Sequence, residues 1–432
     1  MKKYILLAVT LLTSMTMWAQ SYVVNDGVRY EITSGTDVVL NHYGTSDGGS
    51  IKEGDVVIPP SFIVESESTS TTYYVKGFKC WYNGSTSNEV NLNLAAIPAT
   101  SIKLSSNYSD ECLRSNVGTL TLPSNVTSID ITNGTSYYSP QYVASYVIDG
   151  ANTAYSTVDG VLLSKDGKKL IAYPHRKPTI FYTIPDGVTT IGQYAFYNDD
   201  DLETVVIPST VTKIEKYAFA SIEALYECIL PSSLTDIEEN AFYCCYNLAK
   251  TGLDKVSGLQ KIGDEAFYAC DLVFDDNLFV LPGTLTSVGS SAFNNEAFKS
   301  PTTIELPKTL GLSGTQMTIG DYAFICNIIR SYMTDPRHVN GSAFYHVSSI
   351  YIPKGTMDAY KAKTGWNTYS DKLKESTSTT IDPSLPTVAK PTIKETLDEA
   401  NSIVKVTMAT ETEGATIRYK VFYGSDDSDP VD

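Results

Sequence analysis

Apolar and polar positions recur in a fixed order through the second half of the chain. The stretch "LETVVIPSTVTKIEKYAFASIEA", from Leu202, is followed at once by "LYECILPSSLTDIEENAFYCCYN". Each carries an alternating apolar run ending in an apolar residue and Pro, then two apolar residues three apart, then Ala-Phe. Aligned on that pair, the copies end at Phe196, Phe219, Phe242, Phe267, Phe293, Phe324 and Phe344. The first intervals are 23, 23, 25 and 26 residues, a period in the leucine-rich-repeat range that means a solenoid. Ile184-Pro185, Ile207-Pro208, Leu230-Pro231 and Leu281-Pro282 each stand twelve residues before the Phe, and Leu306-Pro307 belongs to the set but is displaced by "GLSGTQ".

The pattern predicts one short strand per copy, because residues alternate about Val206 as a strand with one inward face requires. Pro cannot donate to the ladder and fixes φ, so the strand stops there and the chain turns. The pairs Val188 and Ile191, Val211 and Ile214, Leu234 and Ile237, and Leu285 and Val288 then re-enter the core in a second extended segment. Ala-Phe closes the coil with one small and one large inward group. A single coil cannot bury its apolar side, and stacking on neighbours about 4.8 Å away completes core and ladder together.

The remaining composition limits the function. The chain has 432 residues, 42 % of them apolar, and a formal charge of -17, which speaks against nucleic acid or an anionic membrane as partner. The 30 Tyr suit contact with proteins or glycans and also serve as strand filler. "MKKYILLAVTLLTSMTMWAQS" reads as a secretory signal peptide cut after Ala19, and no later apolar run is long enough for a transmembrane span. The expected address is export, to the cell surface or beyond it, or into the periplasm.

Catalytic and metal signatures are weak. Seven Cys, an odd count, argue against a complete disulfide framework. Cys245 and Cys270 each lie three residues after a repeat Phe and Cys326 two after, which marks them as small buried groups at an inner corner, with free thiols. "GTSDG" around Ser46 matches the nucleophile-elbow pattern but sits among turn formers with no helix to follow. His42, His175, His338 and His346 form no ligand set, and the carboxylates of "NDDDL" and "FDDN" lack calcium-loop spacing and read as solvated turns. No cofactor and no enzymatic activity are expected.

With these residues aligned, the chain resembles the BspA-type leucine-rich repeats of secreted and surface bacterial proteins. The resemblance rests on "IPDGVTTIGQYAFYNDDDLETVVIPSTVTKIEKYAF" and "LPSSLTDIEENAFYCC". It implies a β-rich repeat solenoid, a right-handed leucine-rich-repeat coil of short strands and few helices with caps at both ends. The expected domains are the signal peptide over 1–19, an N-terminal cap with degenerate repeats over 20–154, the repeat solenoid with its cap over 155–371, a Ser/Thr/Pro linker over 372–390 and a tail over 391–432.

Within these, "VVIPPSF", "AAIPATSIKL" and "LTLPSNVTSIDI" keep the apolar-Pro mark without Ala-Phe, and "YSTVDGVLLSKDGKKLIAYP" resembles a two-strand insert. "YIPKGTMDAYKAKTGWNTYSD" resembles the terminal cap, with Tyr360 and Trp366 over the last coil. The tail resembles part of the small β-sandwich of chitobiase-type proteins through Glu413 to Tyr419 and Ser428 to Pro430, although further strands of that fold have no counterpart.

The residue before each apolar-Pro faces outward: Thr183, Val206, Ile229, Val280, Glu305 and Tyr351. Strand propensity alone explains a β-branched or aromatic row, and a binding stripe is the sharper reading. Val206, Ile229, Val280 and Tyr351 are its candidate residues, with Tyr351 expected to dominate. The resemblance implies a non-enzymatic exported protein that adheres to a protein or glycan at a host or bacterial surface. An accessory glycan-binding protein of a carbohydrate-processing system is the alternative, and a hydrolase in the irregular N-terminal part is a third reading.

Overall fold

The fold is taken from a computed structural model, which describes residues 22–42, 54–65, 70–81, 89–104, 112–113, 116–131, 143–274, 277–295, 303–308, 310, 318–376, 392–398 and 403–409. The proposed signal peptide, Ser46 and the tail marks from Glu413 to Pro430 lie outside these residues. Two compact units emerge, Met1–Ser376 and Thr377–Asp432. In the second, the described residues are a hairpin of Thr392–Asp398 against Ile403–Ala409, so the β-sandwich is not confirmed.

The first unit is a β-solenoid of about ten turns, almost entirely short strands. Its repetitive part has three ladders per coil. One side of the coil is the three-stranded parallel sheet of Phe181–Thr183, Thr204–Val206 and Glu227–Ile229. The next side is a sheet of two-residue strands: Thr190–Ile191, Lys213–Ile214, Asp236–Ile237, Lys261–Ile262, Ser287–Val288 and Thr318–Ile319. At the third side the N–H groups of Phe196, Phe219, Phe242, Phe267 and Phe293 each donate to the Ala carbonyl of the following coil at 2.8 Å, and Phe324 does so to Ala343 at 3.1 Å. The strands are short because Pro ends one and a left-handed residue follows the next.

The corners use residues that the sequence does not mark. Tyr194, Tyr217, Asn240, Glu265, Ser291 and Tyr322, each two before the Phe, have φ between 52° and 58°. Asn198, Ser221, Cys244 and Ala269, each two after it, have φ between 58° and 60°. A left-handed backbone costs a non-glycine residue roughly 1–2 kcal/mol. The ladder offsets this, because the bend aims each N–H at the next coil: Tyr217 donates to Glu239, and Ser221 to Tyr243.

One apolar core runs from Val161 to Leu373 and a second from Val23 to Ala172. Phe196, Phe219, Phe242, Phe267 and Phe293 are buried in a single stacked column, with Val211, Ile214 and Ile237 in the same core. The earlier coils also stack in parallel, through Gly54–Val57, Val90–Asn93, Val117–Thr121 and Val143–Val147. The insert after Tyr155 has three strands where two were expected, because Lys169–Ala172 turns back from the hairpin and pairs in parallel with Thr190–Ile191.

At the other end the helix Met357–Ala362 buries Tyr360, whose ring meets Trp366 edge-on, and Trp366 lies against Phe344. The Tyr360 hydroxyl is 2.5 Å from Ser331 Oγ and donates to the Met333 carbonyl, fixing the cap by polar as well as apolar contacts. The ladder continues past this helix into Leu373–Glu375, which pairs with Ser349–Ile352.

Candidate functional site

The four candidate residues fall on two sheets. Val206 and Ile229 are register neighbours on the three-stranded sheet, beside Thr183, and are 40 % and 47 % exposed. Their strand neighbours Val205 and Cys228 are buried, so the alternation read from the sequence sets which side faces out. The same period carries Phe181, two residues before Thr183, onto this face at 51 % exposure. Ile180 and Tyr226, one position further along the ladder, are also exposed. The result is an outward apolar set on the sheet, Phe181, Val206 and Ile229.

The row stops after Ile229. The next coil replaces the strand by Gly252 at φ 60° and a one-turn 3-10 helix, Leu253–Lys255. A side chain at 252 would reach the Ile229 methyl, since a Cβ there lies 3.8 Å from Ile229 Cγ2.

Val280 and Tyr351 belong to a second parallel sheet, formed by Leu278–Val280, Thr303–Leu306, Ile328–Ser331, Ser349–Ile352 and Leu373–Glu375. Its register places Val280, Glu305, Arg330, Tyr351 and Lys374 in one line. Val280 and Tyr351 are only half-buried there, whereas Glu305, expected to face solvent, is buried. Arg330 covers it, with Nη1 3.1 Å from Glu305 Oε1. Lys374 Nζ lies 5.8 Å from the Tyr351 ring centroid. Arg330 and Lys374 escaped the sequence reading because their strands do not end in Pro.

Acidic groups border the first patch. Asp200, Asp201, Glu203 and Glu223 are exposed, and among the described residues none of them is ion-paired with a cation. Asp200 is held above the usual carboxylate range by partial burial and by the charges of Asp201 and Glu223. Glu227 pairs with Lys250 at 3.4 Å, and the same Lys250 Nζ lies 5.1 Å from the Tyr226 ring centroid.

Asp199 corrects the reading of "NDDDL" as a wholly solvated turn: it is 1 % exposed. It occupies the inner corner taken by Ile222, Cys245 and Cys270 in the following coils. Its Oδ1 accepts the N–H groups of Asp201 and Leu202, and its Oδ2 has no partner among the described residues. Burial pushes its carboxyl up from 3.8 to about 7. At the same corner Cys245 Sγ donates to the Phe219 carbonyl at 2.9 Å and Cys270 Sγ to that of Phe242 at 3.0 Å. Both thiols are free, and burial pushes Cys245 up to about 12 and Cys270 well above its usual value.

Among the described residues no group of three His, Cys, Asp or Glu could hold a metal ion. None of their helices is long and apolar enough to cross a membrane.

Comparison with known proteins follows the repeats. The model of the BspA type leucine-rich repeat region matches in six copies, over residues 177–299 and 277–361. No curated protein sequence matches. Among solved structures, the pneumococcal vaccine antigen PcpA is 15 % identical with a TM-score of 0.40, covering 82 % of this chain and 97 % of its own. A leucine-rich cell surface protein of Faecalibacterium prausnitzii is 13 % identical at a TM-score of 0.35, covering 80 % and 98 %. A leucine-rich repeat protein of T. pallidum is 25 % identical at 0.29, covering 42 % and 84 %. Proteins built of such repeats are generally non-catalytic and typically surface-associated. Over residues 177–361 the chain matches the BspA type leucine-rich repeat region, and the Pro-ended strands, the ladders and the Phe column described above lie within that stretch.

Proposed function

We propose that the protein is an exported, non-enzymatic binding protein that contacts a macromolecule at a host or bacterial surface through the outward row of its solenoid. The observation that carries this reading is the exposed cluster of Phe181, Val206 and Ile229 on a sheet fixed by register. A flat array held by backbone ladders is pre-organised, so binding orders few side chains. Large apolar groups grouped on one face mark interaction surfaces better than the same residues scattered singly. The half-buried Val280 and Tyr351 would extend the contact along the second sheet.

The test is binding of the full chain to a panel of purified matrix proteins and bacterial polysaccharides. Lys is placed at 206, 229, 280 and 351 singly and together, with circular dichroism to check the fold. Affinity should fall in steps, most at Val206 and Ile229 because they are register neighbours and the more exposed of the four. Unchanged binding by the fourfold variant to every captured partner would return the row to strand filler. Binding confined to polysaccharides would favour the glycan-binding alternative.

A further inference from the structure

Resting on that reading, we infer that the three-stranded face takes a cationic protein segment, one that presents Lys or Arg beside apolar side chains. The patch and its border supply two complementary features. Phe181, Val206 and Ile229 lie on adjacent strands, exposed by 51 %, 40 % and 47 %, and are spaced by the ladder. Successive coils stand about 4.8 Å apart, so a partner laid across them meets one apolar side chain per coil.

Carboxylates stand on the loop that leads into this sheet. Asp200, Asp201 and Glu203 precede the strand Thr204–Val206, and Glu223 precedes the strand Glu227–Ile229 one coil later. Asp200 and Glu223 interact across that step, each opposing the other's charge. Lys250 neutralises only Glu227. Four exposed carboxylates therefore stand beside these strands with no ion pair to a cation among the described residues, and a basic partner would relieve the repulsion among them. Opposite charge around an apolar centre raises the association rate and excludes acidic competitors. Solvation of the carboxylates is kept at the rim while the centre loses water, the arrangement expected of a protein interface.

The mode of contact is also limited. The open edge of the sheet at Phe181 is closed by Thr179, whose hydroxyl donates to the Phe181 carbonyl at 2.6 Å and accepts its N–H at 3.2 Å. The partner therefore lies on the face and does not add as a further strand at that residue.

The probes are three synthetic twelve-residue peptides: alternating Lys and Val, alternating Glu and Val, and alternating Lys and Ser. Fluorescence anisotropy with the full chain is expected to show the Lys/Val peptide bound about tenfold more tightly than either other, with affinity falling steeply as salt rises from about 0.05 to 0.5 M. The triple variant Asp200→Asn, Glu203→Gln, Glu223→Gln should lose about tenfold in affinity. A control triple, Asp335→Asn, Asp358→Asn, Asp371→Asn, removes the same charge around the cap and should lose little. Val206→Ser with Ile229→Ser should lower Lys/Val binding towards that of Lys/Ser. Preference for the Glu/Val peptide, no binding of any peptide, or equal losses in the two triples would overturn the inference. If the serine variant still loses its macromolecular partner from the purified panel while the acidic triple keeps it, the face binds and only the assigned charge is wrong.

Discussion

Phe219 and Phe242 lie face to face, with ring centroids 5.0 Å apart and planes 6° from parallel. The same relation repeats along the column, from Phe196 and Phe219 at 4.9 Å to Phe293 and Phe324 at 5.1 Å. Near-parallel rings at this spacing fall in the range of stacked aromatic pairs. Here the backbone dictates the geometry, because the N–H of each Phe donates to the Ala carbonyl of the next coil and holds the rings at ladder spacing.

Replacing one ring therefore opens a cavity with a ring on either side. Phe219→Ala should destabilise the protein by about 3–5 kcal/mol, measured by chemical denaturation. In a solenoid the loss is concentrated in nearest neighbours. Hydrogen exchange should accordingly rise first at Ala218, Phe219 and Ala241. A variant with native stability and unchanged exchange would contradict the column as the chief source of core packing.

The corner thiols give a chemical test. Cys245 and Cys270 are buried, donate to carbonyls of the preceding coil and are held far from thiolate. Only thiolate alkylates at a useful rate. Iodoacetamide at pH 8 should leave both unmodified in the folded protein and label both after denaturation. Mass spectrometry that finds a Cys245 to Cys270 bridge would show that the corner is wrongly built.

Asp199 predicts a pH dependence with a definite sign. Its carboxyl is raised to about 7 by burial, while the unfolded chain titrates near 3.8. Between these values the native state holds a proton that the unfolded state has released, so stability falls as pH rises through this range, and the penalty is complete above 7. Asp199→Asn keeps an oxygen for the N–H groups of Asp201 and Leu202 and removes the ionisation. It should raise stability by about 1–4 kcal/mol at pH 8, with the gain vanishing near pH 4. Thermal melts of both proteins at the two pH values decide it.

Glycine at 263 is required by close approach. A Cβ there would run into the backbone N of Glu239 in the preceding coil, and Gly289 and Gly320 repeat the contact against Asp264 and Ser290. Gly263→Ala should cost about 1–3 kcal/mol through this overlap, whereas Gly35→Ala, with open space around it, suffers only from its positive φ. Equal melting temperatures for wild type and Gly263→Ala would refute the close packing of these coils.

Much of the site was legible because a strand has period 2. Once Ile207 and Leu230 were placed inward before their Pro, Val206 and Ile229 had to face out, and the structure leaves both exposed. Phe181 was missed although one more step of the same alternation reaches it. Arg330 and Lys374 were out of reach, because Ile328–Ser331 and Leu373–Glu375 lack the Pro that reveals the register. Burial of Asp199 was hidden by its neighbours, since three successive Asp read as solvated when only one turns inward.

What the sequence determined by itself was the coil: its period, its strand ended by Pro, its inward Phe and the rank of residues around them. These follow from local rules, a ladder that Pro interrupts and an apolar face that must be covered, and each copy states them again. What only the tertiary structure decided was how one coil meets the next. The left-handed corners at Tyr217 and Ser221 carry no Gly to announce them, because inter-coil hydrogen bonds compensate their strain. The burial of Glu305 beneath Arg330 likewise depends on a residue about one period away. Such contacts join positions distant in sequence, and their energy exists only after the coils have stacked.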